Sequence, residues 1–296
     1  MITSWYLQKL LKELGTKHGD NFNIPSQEAL VKLAKLKLLI FPSTAFFYEG
    51  NPQLSQFFAL QDQTMGVKQQ VLQLAAGLAN EATSIAFSPL VTAAKSMDLV
   101  VRETEVDQIA PMGLLGKLDR TWYILGDEAC MNQEGIELGV SVQTLARQFQ
   151  QEGKYSLFLA QKQPKRLLGV FSCFYPINSL ALNSIEDLHK QGVSCSLVTG
   201  LKRSIAQAVA KQLGITDLES EVSGKAKDLA IEGLKLQQPD SGVCLVISKR
   251  KGGITITLGP ELNVWVKSLQ ELPVAVSQAQ LVVKKLKQRL FWVTLD

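Results

Sequence analysis

The chain has 296 residues, 46% of them hydrophobic and 20% charged, which is enough for two domains with cores of their own and too apolar for a disordered chain. Its formal charge of +4 is a mild excess, which argues against the dense Lys/Arg stripe of a nucleic-acid binder. Two histidines, His18 and His189, and four scattered cysteines, Cys130, Cys173, Cys195 and Cys244, argue against the converging N and S ligands of a transition-metal site within the chain.

No secretory signal and no apolar run of about 20 residues is evident, so no transmembrane segment is expected. Residues 1–14 read as an amphipathic N-terminal helix, because Trp5-Tyr6-Leu7-Gln8-Lys9-Leu10-Leu11-Lys12-Glu13-Leu14 mixes apolar and charged residues at helical spacing. Residues 26–36 predict a helix with Ser26 as N-cap and Glu28 in its first turn. A short buried strand over Lys37 to Phe41 follows and stops at Pro42, which has no N–H to give to a ladder.

After Pro52 the character changes, and residues 53–163 read as an inserted α+β domain. Helices are expected over Val67 to Leu78, Ser84 to Met97 and Thr144 to Gln151. Strands are expected over Leu99 to Thr104, Gly113 to Leu118, Thr121 to Gly126, Tyr155 to Ala160 and Arg166 to Phe171. From Leu167 the pattern alternates. Leu167 to Phe174 reads as a buried strand, Ser184 to Gln191 as a helix, and Val193 to Val198 as a strand ending at Thr199-Gly200-Leu201. Arg203 to Leu213 then reads as a helix closed by Gly214. This spacing implies a parallel sheet with helices on both faces and functional groups beyond the carboxyl ends of its strands. Val243 to Ile247 reads as a further strand running into a basic turn, Ser248 to Gly253.

The run Phe41-Pro42-Ser43-Thr44-Ala45-Phe46-Phe47-Tyr48-Glu49-Gly50-Asn51-Pro52 resembles the phosphorylation segment of the heavy-metal-transporting P-type ATPases. In that family the strand ends in an Asp-Lys-Thr-Gly motif whose aspartate takes the phosphoryl group from ATP. Pro42 stands in the aspartate's place and Thr44 in that of the first threonine. Val198-Thr199-Gly200-Leu201 resembles the family's Thr-Gly-Asp turn with its carboxylate replaced by Leu201. Glu221 to Lys227 resembles its Pro-x-x-Lys segment, placing Lys227 as the phosphate-neutralising lysine. Where the family carries Gly-Asp-Gly-x-Asn-Asp to hold Mg²⁺, the sequence has the run around Lys249, Arg250 and Lys251. In the insert, Ala86-Phe87-Ser88-Pro89-Leu90, Pro111-Met112-Gly113 and Leu125-Gly126-Asp127 are similar to the family's nucleotide-binding landmarks, with Phe87 and Ser88 in place of the adenine-contacting pair.

The resemblance implies a haloacid-dehalogenase-like Rossmannoid α/β domain over 15–52 and 164–296, carrying a nucleotide-binding-like insert. Phosphoryl transfer of this kind needs an acceptor oxygen, a Mg²⁺ and a positioned cation. With Pro42, Leu201 and the basic run in place, the expectation is a non-catalytic relative with no cofactor. Its role would be binding, regulation or structural support in metal homeostasis, in the cytoplasm and peripheral to a membrane that holds a metal pump. A residual ATPase or phosphatase using ATP and Mg²⁺, or the soluble half of a split transporter, are the alternatives. The basic run has two readings: a solvated loop, or a metal-independent anion pocket of Thr199, Lys227, Lys249, Arg250 and Lys251.

Overall fold

The computed structural model describes residues 21–102, 104–110, 112–237, 243–250, 253–259 and 262–293. The predicted helix over 1–14 lies outside them, as does Lys251. The chain divides into two compact units, one running up to Tyr48 and resuming at Ile177, the other Glu49–Pro176.

The first unit opens with β1 (Phe22–Asn23), α1 (Gln27–Ala34) and β2 (Leu36–Phe41). Ser26 caps α1 as its sequence predicts, its hydroxyl accepting from Ala29 N at 3.1 Å. Leu36, Leu38, Leu39, Ile40 and Phe41 of β2 are all buried, a continuous apolar run that suits a central parallel strand covered on both faces.

The second unit follows, with β3 (Gln53–Ala59), α2 (Met65–Asn80), α3 (Ser88–Ser96), β4 (Val106–Ala110), β5 (Gly113–Leu118), β6 (Thr121–Gly126), α4 (Glu128–Gln133), α5 (Val140–Gln151), β7 (Tyr155–Gln161) and β8 (Arg166–Phe174). Its strands form an antiparallel sheet in the order β3-β8-β7-β6-β5-β4. One face carries a core of Leu72, Ala75, Phe87, Leu90, Leu157 and Phe171 under α2 and α3. The other carries Ile124, Met131, Phe149, Phe158 and Val170 under α4 and α5.

Two sequence expectations are corrected here. Leu167 to Phe174, read as the first strand back in the parallel sheet, is β8 and pairs antiparallel with both β7 and β3. Burial on both faces gives β8 the unbroken apolar run of a parallel strand, which misplaces the boundary: the unit closes at Pro176, not 163. The described residues between Leu99 and Thr104 form no strand either. The Val100 carbonyl accepts from Gln73 Nε2 of α2 at 2.6 Å, a helix side chain in place of a strand neighbour, and β4 takes the sheet edge.

The first unit then resumes with α6 (Ser179–Lys190), β9 (Ser194–Val198), α7 (Arg203–Leu213), β10 (Asp217–Glu219), α8 (Gly224–Leu236), β11 (Val243–Arg250), β12 (Gly253–Thr257), β13 (Asn263–Val266) and α9 (Glu271–Val293). Gly214 closes α7 at φ 69°, a left-handed conformation that glycine adopts without strain. The sheet order is β1-β13-β12-β11-β2-β9-β10. Strands β11, β2, β9 and β10 run parallel, while β12, β13 and β1 extend the sheet antiparallel. On one face α8 buries Ile231 and Leu234 against Leu38, Ile40 and Val198, and α1 packs against α9. Each such buried aliphatic side chain contributes about 1.5–3 kcal/mol of transfer free energy. The expected turn after Ile247 is also corrected: β11 continues to Arg250, with Lys249 opposite Ile254 and Arg250 opposite Gly253 in a hairpin with β12.

Candidate functional site

In a parallel α/β sheet the segments leaving the carboxyl ends of neighbouring strands converge at one edge. Register places Phe41 of β2 beside Leu197 of β9, so Pro42 and the loop after Val198 share that edge. The loop is built from its own backbone. Thr199 is buried, its N–H donates to the Glu219 carbonyl at 2.8 Å, and its hydroxyl accepts from Leu201 N at 3.3 Å. Val222 N donates to the Thr199 carbonyl at 3.2 Å and Glu221 N to that of Leu201 at 3.1 Å, zipping the segment before α8 onto the Thr199-Gly200-Leu201 turn.

This zipper aims the first turns of α8 at the end of β2. The half-buried Lys227 Nζ donates to the Pro42 carbonyl at 3.0 Å, a contact across 185 residues of chain. Thr44 is buried at the start of a 3₁₀ turn, Thr44–Phe46, capped by Ser43, whose hydroxyl accepts from Ala45 N at 3.2 Å. The structure therefore brings Pro42 and Lys227 into contact and sets Thr199, Gly200 and Leu201 beside them. Lys249 and Arg250 continue β11, whose Val246 lies opposite Ile40.

In the second unit, Gly113 and Gly126 face each other across β5 and β6. Cys130 of α4 sits on both. A Cβ on Gly126 would lie 2.7 Å from the Cys130 sulfur and 2.6 Å from the Met112 carbonyl, and one on Gly113 would lie 3.1 Å from Cys130 Cβ. Asp127 caps α4, its Oδ1 accepting from Cys130 N at 2.9 Å. Burial pushes the Cys130 thiol up to about 11, with Asp127 and Glu134 adding to the rise. Phe87 is buried in the apolar core under α2 and α3, and the Ser88 hydroxyl is buried without a hydrogen-bond partner among the described residues.

No protein-family model matches the chain. A copper-exporting P-type ATPase of Staphylococcus aureus (strain USA300 / TCH1516) is 22% identical over 282 residues, covering 90% of this chain and 34% of that protein. The chain is a homologue of the heavy-metal P-type ATPases. It spans about a third of the length of the curated relatives it matches. Among solved structures, a zinc-transporting PIB-type ATPase superposes with a TM-score of 0.66 at 14% identity, covering 92% of this chain and 45% of that one. The catalytic domain of the CPx-ATPase CopB-B superposes with a TM-score of 0.56 at 18% identity, covering 78% of each chain. These likenesses establish the fold: a haloacid-dehalogenase-like parallel sheet with an inserted antiparallel domain, as in P-type ATPases. Among the described residues no helix is long and apolar enough to cross a membrane.

At the sheet edge, Lys227 contacts Pro42, and Thr199 lies on the loop that leaves β9 beside them. In the insert, Gly113, Gly126 and Asp127 are explained by the seating and capping of α4, and Phe87 by core packing. The sequence reading missed one anchor, the Tyr155 hydroxyl, which donates to the Ala86 carbonyl at 2.7 Å and ties the start of α3 to β7. A lone tyrosine in a strand gives no signal of a partner 69 residues away.

Proposed function

We propose that this chain is a P-type-ATPase-like pair of domains that has kept the architecture and lost phosphoryl transfer. It would act as a binding or regulatory partner of a membrane metal pump in metal homeostasis, on the cytoplasmic face of the membrane. The observation that carries this reading is the Lys227–Pro42 contact. The cation that a phosphorylated carboxylate would need is present, and it rests on the backbone carbonyl of a residue with no nucleophilic oxygen.

Two further features support it. Mg²⁺ takes hard oxygen ligands, above all carboxylates. Where the family motifs carry carboxylates this chain has Pro42, Leu201 and the Lys249–Arg250 run, and Lys227 already places positive charge at the edge. This donor set does not suit the ion. Adenine recognition needs directional polar groups, and Phe87 spends its side chain inside the core.

The test is incubation with γ-labelled ATP and Mg²⁺, followed by acid quench and hydroxylamine treatment. The reading predicts no hydroxylamine-sensitive label. A stoichiometric, hydroxylamine-labile phosphoprotein overturns it in favour of a working ATPase. The partner role is tested separately, by adding the chain to a reconstituted copper-exporting P-type ATPase and measuring turnover. A saturable change in the pump's rate is expected, and an unchanged rate contradicts it.

A further inference from the structure

The first unit contains a cavity of about 290 Å³ lined by Phe46, Tyr48, Asn178, Leu180, Lys267 and Ser268, with Gly253 and Ile254 of β12 also in its wall. None of these residues belongs to the Pro42–Lys227 edge. The cavity is formed where the chain leaves the unit after Tyr48 and returns at Ile177. Phe47 turns inward against Phe41, with ring centroids 4.7 Å apart, which leaves its neighbours Phe46 and Tyr48 to line the cavity. The Phe46 ring is itself fixed edge-on against Phe41 at 5.9 Å.

Two donors in this cavity, one of them charged, face no partner among the described residues: the Asn178 amide and the Lys267 ammonium. Asn178 is held firmly: its N–H donates to the Phe47 carbonyl at 2.8 Å, and its Oδ1 accepts from Leu180 N at 2.8 Å. With Oδ1 committed, the end of the amide left over is Nδ2, a donor, and it has no partner among the described residues. Lys267 is exposed, has no ion-pair partner among the described residues, and is the one charged group among them in the lining. The rest of the wall is mostly aromatic and aliphatic, with the uncharged polar side chains of Ser268 and Gln270.

We propose that this cavity binds a small organic anion with a compact, flat apolar body, its charged head on Lys267 and Asn178 Nδ2 and its body against Phe46 and Tyr48. An apolar pocket with a few convergent polar groups is the general form of a small-ligand site, and this volume lies just below the usual range, which limits the occupant to a small molecule. A carboxylate head and a phosphate head satisfy the same donors. The site does not depend on whether the Pro42 edge is active.

The experiment is calorimetric titration of the full chain with benzoate, phenyl phosphate and inorganic phosphate. At least one of the two aromatic anions is expected to bind, and the tighter of them identifies the head group. Inorganic phosphate, lacking a body, is expected to bind at least tenfold more weakly. Lys267→Gln, a change at an exposed position, is expected to weaken the aromatic anion at least tenfold, and Leu180→Trp to block it by filling the cavity. Lys227→Gln is expected to leave it unchanged. Absence of binding by both aromatic anions overturns the proposal. So does binding that survives Lys267→Gln, or that is lost on Lys227→Gln.

Discussion

Lys227 Nζ lies 3.0 Å from the carbonyl oxygen of Pro42, joining the first turns of α8 to the end of the central strand β2. Proline offers the backbone no donor, so this carbonyl is the only main-chain polar group at the strand's last step. Removing the ammonium leaves a half-buried acceptor without its partner. Lys227→Met is expected to lower stability by about 1 kcal/mol, the usual net worth of one such bond. Urea unfolding measures it, and Lys227→Arg, which keeps a donor, should recover part of the loss.

Restoring the missing carboxylate alone should not restore the chemistry. Pro42→Asp places an acid beside Lys227, and the variant is expected to fold with stability within about 1 kcal/mol of the parent. It should still take no phosphoryl group from Mg²⁺-ATP, because Leu201 and the Lys249–Arg250 run supply no carboxylate for the metal. Acid-stable label on Pro42→Asp would show that metal ligands exist elsewhere in the chain.

The paired glycines of the insert test whether their role is packing. Gly113→Ala and Gly126→Ala each push a methyl against Cys130, and each is expected to cost about 1–3 kcal/mol by overpacking. Cys130→Ala should relieve Gly113→Ala only in part, by removing the sulfur, because the added methyl still lies 3.1 Å from Cys130 Cβ and 3.0 Å from Ala110 Cβ. It should not relieve Gly126→Ala, whose Cβ also meets the Met112 carbonyl at 2.6 Å. Thermal unfolding of the two double variants distinguishes them.

The buried thiols set a pH dependence. Burial raises Cys130 to about 11, and Cys173 and Cys195 to about 12, from an ordinary 9.0. For an acid whose folded value is raised, the unfolded chain ionises first. The thiol contribution to stability is therefore full below pH 9 and falls as pH climbs from 9 toward 11–12. Denaturant midpoints should be level from pH 7 to 8.5 and fall above 9. At pH 8 a disulfide reagent should label these three cysteines only after denaturation.

Much of the first unit is legible in the sequence because its cues are local. Ser26 before an amphipathic run gives the start of α1, Pro42 gives the end of β2, and Gly214 gives the stop of α7. The insert is harder to read. A strand buried on both faces of an antiparallel sheet, β8, carries the same apolar run as a parallel strand, and its antiparallel pairing with β7 and with β3, more than 100 residues upstream, distinguishes them. The candidate site is read from the sequence only as a set of motif positions. That Lys227 reaches Pro42, and that Phe87 lies inside the core, are facts of tertiary packing which spacing along the chain does not encode.

If a P-type-ATPase-like scaffold persists here without the groups that use ATP, calorimetry with ATP should show no micromolar binding, whether or not Mg²⁺ is present, and the two titrations should be alike. Micromolar affinity that appears only with Mg²⁺ would mean that the chain has kept a working nucleotide site.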